Sequence, residues 1–191
     1  MQNRITENLD YGIPGEFGKT NLRRVDAVEV AADIVMGGPA GRSSAGKIGP
    51  KDASTYTTFA GVFVTTHQHI SVGTPAGGPL APTLTVKAGT VVGLCSMGDV
   101  YLDIPVSVTA QNDAATAKAA IKALTFKAGD KIYVTSAGAY TTVAASNTLV
   151  GEVIEARSCA EIADSDITVT DSSSDSKKDA AASIVVMVRI G

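Results

Sequence analysis

The sequence predicts an all-β protein: a compact β-barrel or jelly-roll-like β-sandwich with an extended N-terminal arm and at most one short helix. Three observations lead there. Short runs rich in Val, Ile and Thr recur between residue 59 and the C-terminus, in lengths that suit strands. Gly, Pro and Ser punctuate them, as turns between strands require. The opening stretch, MQNRITENLDYGIPGEFGKT, keeps neither a helical nor a strand period, so it reads as an arm rather than core.

The chain has 191 residues, the length of one domain or of one domain and a small appendage. Residues 1–24 are assigned to the arm and 25–191 to the β-rich body. Fully extended, twenty residues of arm reach about 65 Å. The body opens with a strand over 25–35, where Val28, Val30 and Ala32 recur at period two. The stretch GGPAGRSSAGKIGPKDAS follows as a loop dense in turn residues. Further strands are expected at 59–66, 70–72, 84–86, 91–95, 100–108, 131–135, 149–155 and 183–190. The last of these, IVVMVRI at its centre, is so apolar that it belongs in the middle of a sheet and not on an open edge.

Two segments depart from this pattern. Residues 113–124, DAATAKAAIKAL, are good helix formers, with Asn112 or Asp113 in place as a cap. Residues 164–181 contain DSSSDSKKD and read as a solvated loop. There is also an internal echo at an offset of 40 residues. Leu84-Thr85-Val86-Lys87-Ala88-Gly89 recurs as Leu124-Thr125-Phe126-Lys127-Ala128-Gly129, which predicts two similar β-hairpins.

Composition narrows the function. Hydrophobic residues make up 45% and charged residues 18%, against about 25% charged in ordinary soluble proteins. That excludes intrinsic disorder as the main state and suggests surface that a partner covers. A net charge of −3 argues against direct nucleic-acid binding, which calls for a basic stripe. The N-terminus has no apolar signal-like core, and the apolar run at 184–188 is too short to span a bilayer. No membrane partner is expected, and synthesis in the cytoplasm is the default. Cys95 and Cys159 read as buried free thiols, since no CxxC spacing exists.

Candidate chemistry is thin. Gly41-Arg42-Ser43-Ser44-Ala45-Gly46-Lys47 fits G-x-x-x-x-G-K, the phosphate-cradling loop. However, Ile48 stands where a hydroxyl must hold magnesium, and Gly49-Pro50 oppose the helix that must follow. His67 and His69 share one face if they lie on a strand, but no third metal ligand accompanies them. No Gly-x-Ser-x-Gly elbow occurs. Asp99 and Asp130 follow Gly98 and Gly129, as turn residues do. No catalytic residue, metal ligand or cofactor is therefore assigned.

The order of several turn-and-strand words nevertheless resembles a known family. They are Tyr11-Gly12-Ile13-Pro14-Gly15, Asp33 before a Gly-rich stretch, Phe59-Ala60-Gly61-Val62, Lys87-Ala88-Gly89 and Gly98-Asp99-Val100-Tyr101. Ala128-Gly129-Asp130-Lys131-Ile132-Tyr133-Val134, Val150-Gly151-Glu152-Val153 and a closing Val188-Arg189-Ile190 complete the series. This order is similar to that of the structural cement, or capsid decoration, proteins of tailed phages, and it spans nearly the whole chain. The resemblance implies a non-enzymatic virion protein that binds the exterior of an icosahedral capsid. It implies that the major capsid protein is the partner and that neighbouring capsomers are cemented against internal pressure. Tyr11, Ile13 and Phe17 are then the expected arm anchors, with Arg23 and Arg24 meeting acidic capsid surface. A homo-oligomer fits capsid symmetry, a trimer first and a dimer second. The competing classes are a small ligand- or nucleotide-binding β-domain, resting on the Gly41–Lys47 loop and the histidine pair, and a tail or fibre component.

Overall fold

The computed structural model describes residues 14–18, 22–64, 85–172 and 177–191. In chain order the first strands are β1 (Arg24–Glu29), β2 (Ile34–Val35), β3 (Pro39–Arg42), β4 (Ile48–Pro50), β5 (Thr58–Val64), β6 (Thr85–Val86) and β7 (Val91–Gln111). Helix α1 (Ala114–Lys122) follows. The remaining strands are β8 (Thr125–Phe126), β9 (Lys131–Val134), β10 (Tyr140–Thr141), β11 (Thr148–Val153), β12 (Arg157–Ser158), β13 (Thr168–Asp171) and β14 (Lys178–Ile190).

The main sheet runs β10-β9-β11-β14-β7-β5-β3-β4, with β1 added to β7 and β13 to β14. Every pairing of these strands is antiparallel. The pairs β2–β6 and β8–β12 form two small sheets. The layers pack in a sandwich-like manner, and among the described residues no barrel closes.

Two long strands carry the body. Along β7, Val100, Leu102, Ile104 and Val106 are buried, while Asp103, Pro105 and Ser107 are exposed. That is the period-two signature of a strand with one face in the core. In β14, Ile184, Val186 and Val188 stand opposite Ile104, Leu102 and Val100, so one apolar face is continuous across both strands. Helix α1 packs on these two strands and contributes Ala117 and Ile121, both fully buried. The helix begins where the sequence predicts. The Asp113 carboxylate accepts the Thr116 N–H at 2.8 Å, satisfying one of the amide donors that a helix start leaves unpaired.

The apolar side chains gather in two cores. The larger combines β7, β14, α1 and the β9–β11 region, and the smaller combines Val30, Ile34, Met36, Ala40, Ile48, Phe63, Val86, Val92 and Leu94. The N-terminal part of β7 serves the smaller core and its C-terminal part the larger. Both cysteines are buried and unbonded.

Four sequence expectations need correction. The stretches 91–95 and 100–108 are one unbroken strand, because Gly98 adopts φ +145 and carries the backbone through without a turn. The Gly-rich 37–54 stretch is no loop but the β3–β4 hairpin. Two of its glycines are there for contact: a Cβ on Gly41 would lie 2.1 Å from the Tyr56 carbonyl oxygen, and one on Gly49 would lie 2.5 Å from the Tyr56 ring. The 25–35 strand is split, with β1 ending at Glu29 and β2 pairing separately with β6. The 164–181 stretch holds β13, which pairs with the start of β14, while 173–176 lie outside the described residues. The expected strand at 70–72 also lies outside them.

The 40-residue echo is structural, and it extends further than the sequence match. Both Lys-Ala-Gly segments form a turn closed by the N–H of residue 90 or 130 to the carbonyl of residue 87 or 127, at 3.3 and 3.1 Å. The glycines sit at φ +82 and +92, as the third position of a type II turn demands. Each turn then grips a passing strand. The Gly89 N–H donates to the Val30 carbonyl and the Val30 N–H to Thr90; likewise Gly129 donates to Val153 and Val153 to Asp130. The flanking register repeats as well. Glu29 faces Val91 as Glu152 faces Lys131, and Ile34 faces Val86 as Arg157 faces Phe126.

These packing differences separate two glycines of the same hairpin. Gly46 sits at φ +78 with nothing near its missing Cβ, so Gly46→Ala should cost about 1 kcal/mol, the strain of a left-handed alanine. Gly41→Ala must displace backbone and should cost at least twice as much. Urea unfolding of both variants gives the comparison.

Candidate functional site

The contact residues expected from sequence, Tyr11, Ile13, Phe17, Arg23 and Arg24, lie in and around a described segment, 14–18. There the chain is fastened to the central strand. The Gly15 N–H donates to the Tyr101 carbonyl at 2.8 Å, the Tyr101 N–H to Glu16 at 2.9 Å, and the Gly18 N–H to Asp99 at 2.9 Å. Phe17 stands opposite Val100, on the edge of β7 away from Val188. Residues 14–18 thus extend the sheet as a short added strand.

Glycine makes the fit possible. Gly15 has φ +86, and a Cβ there would lie 2.7 Å from the Gly37 nitrogen. Gly37 has φ +76, and its Cβ would lie 2.7 Å from the Pro14 side chain. Two turns therefore nest against each other, with the Pro14 ring seated on Gly37. Gly37 is further held by its N–H to the Phe63 carbonyl and by the Tyr140 hydroxyl donating to its own carbonyl, both at 2.8 Å. Burial pushes the Tyr140 phenol well above its ordinary pKa, so it stays a neutral donor.

Of the five predicted contact residues, Tyr11 and Ile13 lie outside the described residues. Phe17 packs partly buried against the larger core. Arg23 places its guanidinium 4.5 Å from the centroid of the Phe17 ring, a cation–π contact that is worth about 0.5–1 kcal/mol at an exposed site. Arg24 is exposed, with its Nε 3.8 Å from Asp26, a separation at which an exposed pair contributes little. Beside them Leu22 is 88% exposed and Met97 44%. The structure thus joins Phe17 and Arg23 and leaves Arg24 facing solvent.

The residue that sequence reasoning missed here is Asp99. It is no turn residue. It is buried at 2% exposure, and Arg189 of the neighbouring strand donates to both its oxygens, at 2.9 and 3.2 Å. This pair starts a row of alternating charge across four adjacent strands: Asp99, Arg189, Glu152 and Lys131. Asp99, first by hydrogen bond and then by charge, and Glu152 hold the Arg189 guanidinium further toward its charged form. Opposite charges at directly facing positions stabilise a sheet and fix its register. Each of these charges is visible in the sequence among apolar neighbours, but only the register brings them together.

Other candidates resolve simply. The Gly41–Lys47 segment is a hairpin tip, in which Ser43 donates its N–H to Lys47 and Gly46 donates to Ser43. No helix follows it to aim amides at a phosphate. His67 and His69 lie outside the described residues. Among the described residues no three His, Cys, Asp or Glu side chains gather as a metal site, and no helix is long and apolar enough to cross a membrane.

Comparison with known proteins gives the class. The family model described as Structural cement protein (E217 gp24/Pam3 gp6) matches residues 1–190. The chain belongs to this family of phage structural cement proteins; it is a capsid-binding structural protein of the virion. No curated protein matches it. Among solved structures it is similar to a chain in "The capsid of Myoviridae Phage XM1", with a TM-score of 0.47 and 18% identity over 99% of this chain and 96% of that one.

Two outcomes follow from the site's electrostatics. Replacing Arg189 by Met leaves the buried Asp99 carboxylate without its bidentate partner. Breaking a buried pair this way is destabilising; Arg189 is half-exposed, so water relieves part of the cost, and the variant is expected to unfold at a lower urea concentration than the unmodified chain. The second outcome concerns pH. Asp33, Asp164 and Asp171 are held below the ordinary carboxylate range, first by hydrogen bonds from Lys87, Lys122 and Lys178. Asp52 and Asp113 are lowered first by backbone N–H donors. A depressed folded-state pKa contributes stability above the unfolded value, about 3.9, and loses it as pH falls through the lowered folded value. The melting temperature should therefore be flat from pH 7 to 5 and fall below about pH 4.

Proposed function

We propose that this chain binds the outer face of an icosahedral phage shell and clamps neighbouring copies of the major capsid protein against internal pressure. The β-rich body, 25–191, is the rigid part, and the arm, 1–24, is the strap. The observation that carries the reading is the arm root. A strap transmits load only if its base is fixed to something stiff, and Gly15, Glu16 and Gly18 are hydrogen-bonded to β7, the strand shared by both cores. Residues ahead of that root include Tyr11 and Ile13, apolar anchors of the kind that dominate contact energies. Arg24 is exposed at the same end and suits acidic capsid surface.

Assembly timing follows from the same design. A single arm engaging an isolated capsid subunit gives low affinity. Several arms in one homotrimer at a local three-fold, or in a homodimer at a two-fold, act together on a formed shell and raise it. The protein is made in the host cytoplasm and joins the particle after expansion, when its sites reach their final spacing. Deleting residues 1–13 should leave the melting temperature within a few degrees of the full chain, because the fastened root remains, yet should abolish most loading onto expanded shells in a sedimentation assay. Undiminished loading overturns the strap role. Shells without the protein that withstand heat as well as coated ones overturn the clamp.

A further inference from the structure

The duplicated turns carry a property that the fold does not require. A type II turn needs glycine at its third position, and Gly89 and Gly129 meet that need. It imposes neither lysine at the first position nor alanine at the second, where proline is common. Yet Lys87-Ala88-Gly89 and Lys127-Ala128-Gly129 repeat all three residues, and all six are exposed. The residues flanking the turns differ in chemistry: Ile34 and Val86 flank the first, Arg157 and Phe126 the second. Besides the backbone path and its hydrogen bonds, what has stayed alike is the exposed Lys-Ala-Gly itself.

The topology places these two surfaces far apart, at different levels of the sheet. Strands β9, β11, β14 and β7 are neighbours, joined by three antiparallel pairings, so β9 runs antiparallel to β7. The turn leading into β7 therefore lies at one end of the sheet and the turn leading into β9 toward the other. Lys131 shares a row with Asp99 through Glu152 and Arg189, which puts Asp130 level with Val100, ten residues along β7 from Thr90. At about 3.3 Å per residue and 4.8 Å per strand, the two turns are roughly 35 Å apart, less whatever the sheet twist removes.

We propose that the two Lys-Ala-Gly turns are a matched pair of docking knobs, each engaging the same carboxylate-bearing surface on one of two adjacent capsid subunits. This rests on the capsid-binding reading above and adds to it the contact surfaces and the chemistry of the partner. A knob of this kind has a small profile, with one alanine methyl, no bulk at glycine, and one lysine; its neighbouring carboxylate, Asp33 in the first turn and Asp130 in the second, is engaged by a turn N–H. Lys127 presents its ammonium on an exposed side chain. Lys87 is 2.6 Å from Asp33, but the side chains are 78% and 50% exposed, so the pair is worth little and exchanges readily for a partner carboxylate. Two knobs on one rigid body dock with the advantage of linked sites, which makes the pair selective for subunits at the correct spacing.

The test uses the full chain with expanded shells that lack it. Lys87→Glu and Lys127→Glu should each weaken shell binding about tenfold and the double variant about a hundredfold, with a shallower salt dependence in each. Asp33→Asn breaks the internal ion pair and keeps the cation, and should bind as the unmodified chain does; melting curves confirm that all four variants fold. Zero-length amine–carboxyl cross-linking should join Lys87 and Lys127 to the same acidic segment of the capsid subunit. Normal loading of every variant overturns this inference and leaves the capsid-binding reading intact. So does a loss with Asp33→Asn equal to that with Lys87→Glu, which marks a turn-stability effect. A double variant no weaker than one of the singles reduces the pair to one contact and overturns it too. Failure of the unmodified chain to load overturns the capsid-binding reading itself, and this inference with it.

Discussion

The pairing of β7 with β14 is the constraint on which the rest of the structure depends. It runs from Gly98 against Ile190 to Gln111 against Lys178, and its buried face carries Val100, Leu102, Ile104, Val186 and Val188. A slip of one residue would turn that whole set outward. The register is therefore fixed by burial and reinforced by Asp99 and Arg189 at one end. At Gly98 the strand changes partners: before it β7 pairs with β1 and β5, after it with β14. One continuous backbone thus belongs to both cores. Pairings this distant in sequence close long loops before they gain contacts, so folding should be slow for the chain's size.

The two cores are held together by more than β7. The Tyr140 hydroxyl reaches across to Gly37. The Lys51 ammonium, in a side chain with little exposure, donates to the carbonyls of Asp52 and Ser136 at 3.1 and 2.9 Å. Gly138 lies so close to the Lys51 carbonyl that a Cβ would meet it at 1.9 Å. These contacts join the β9–β10 hairpin to the small core, and Gly37 in turn receives the arm root. Force applied at residues 14–18 is passed at once to the long strand and to the hairpin that braces it. In the proposed strap role, such bracing keeps the root from peeling.

Much of the fold was legible because local chemistry and tertiary demand agree there. Alternating Val and Ile mark β5, β7 and β14, the Ala-rich run with its Asp113 cap marks α1, and the repeated Lys-Ala-Gly marks two turns. What stayed hidden depends on pairings distant in sequence. Gly98 looks like a turn glycine until the strand is seen to cross it, and Asp99 looks like turn chemistry until Arg189 arrives from 90 residues away. The glycines of 37–54 suggest a loop, since nothing local reveals that Tyr56 will lie on Gly41 and Gly49. The candidate site was legible only in part. Phe17, expected as a contact residue, packs partly buried against the chain's own core, and the side of Phe17 that Arg23 covers is set by geometry that no motif records.

The two turns also show which features of a repeated element are fixed and which drift. Both turns have a carboxylate accepting a turn N–H, but from different sources. Asp33, on the strand-side segment, takes the Ala88 N–H at 3.0 Å, whereas Asp130, within the turn itself, takes the Lys127 N–H at 2.7 Å. The position matching Asp33 in the second copy is Ala156, and the one matching Asp130 in the first is Thr90. A carboxylate lost in one place is supplied from another, so anchoring residues are replaceable while the backbone path is not. Side chains that make none of the turn's backbone hydrogen bonds have still less to hold them constant: Ala88 and Ala128 are exposed, and Lys87 meets Asp33 in a surface pair of the kind that contributes little. Their repetition therefore calls for a constraint from outside the chain, and for a protein whose work is contact that constraint is the surface it touches.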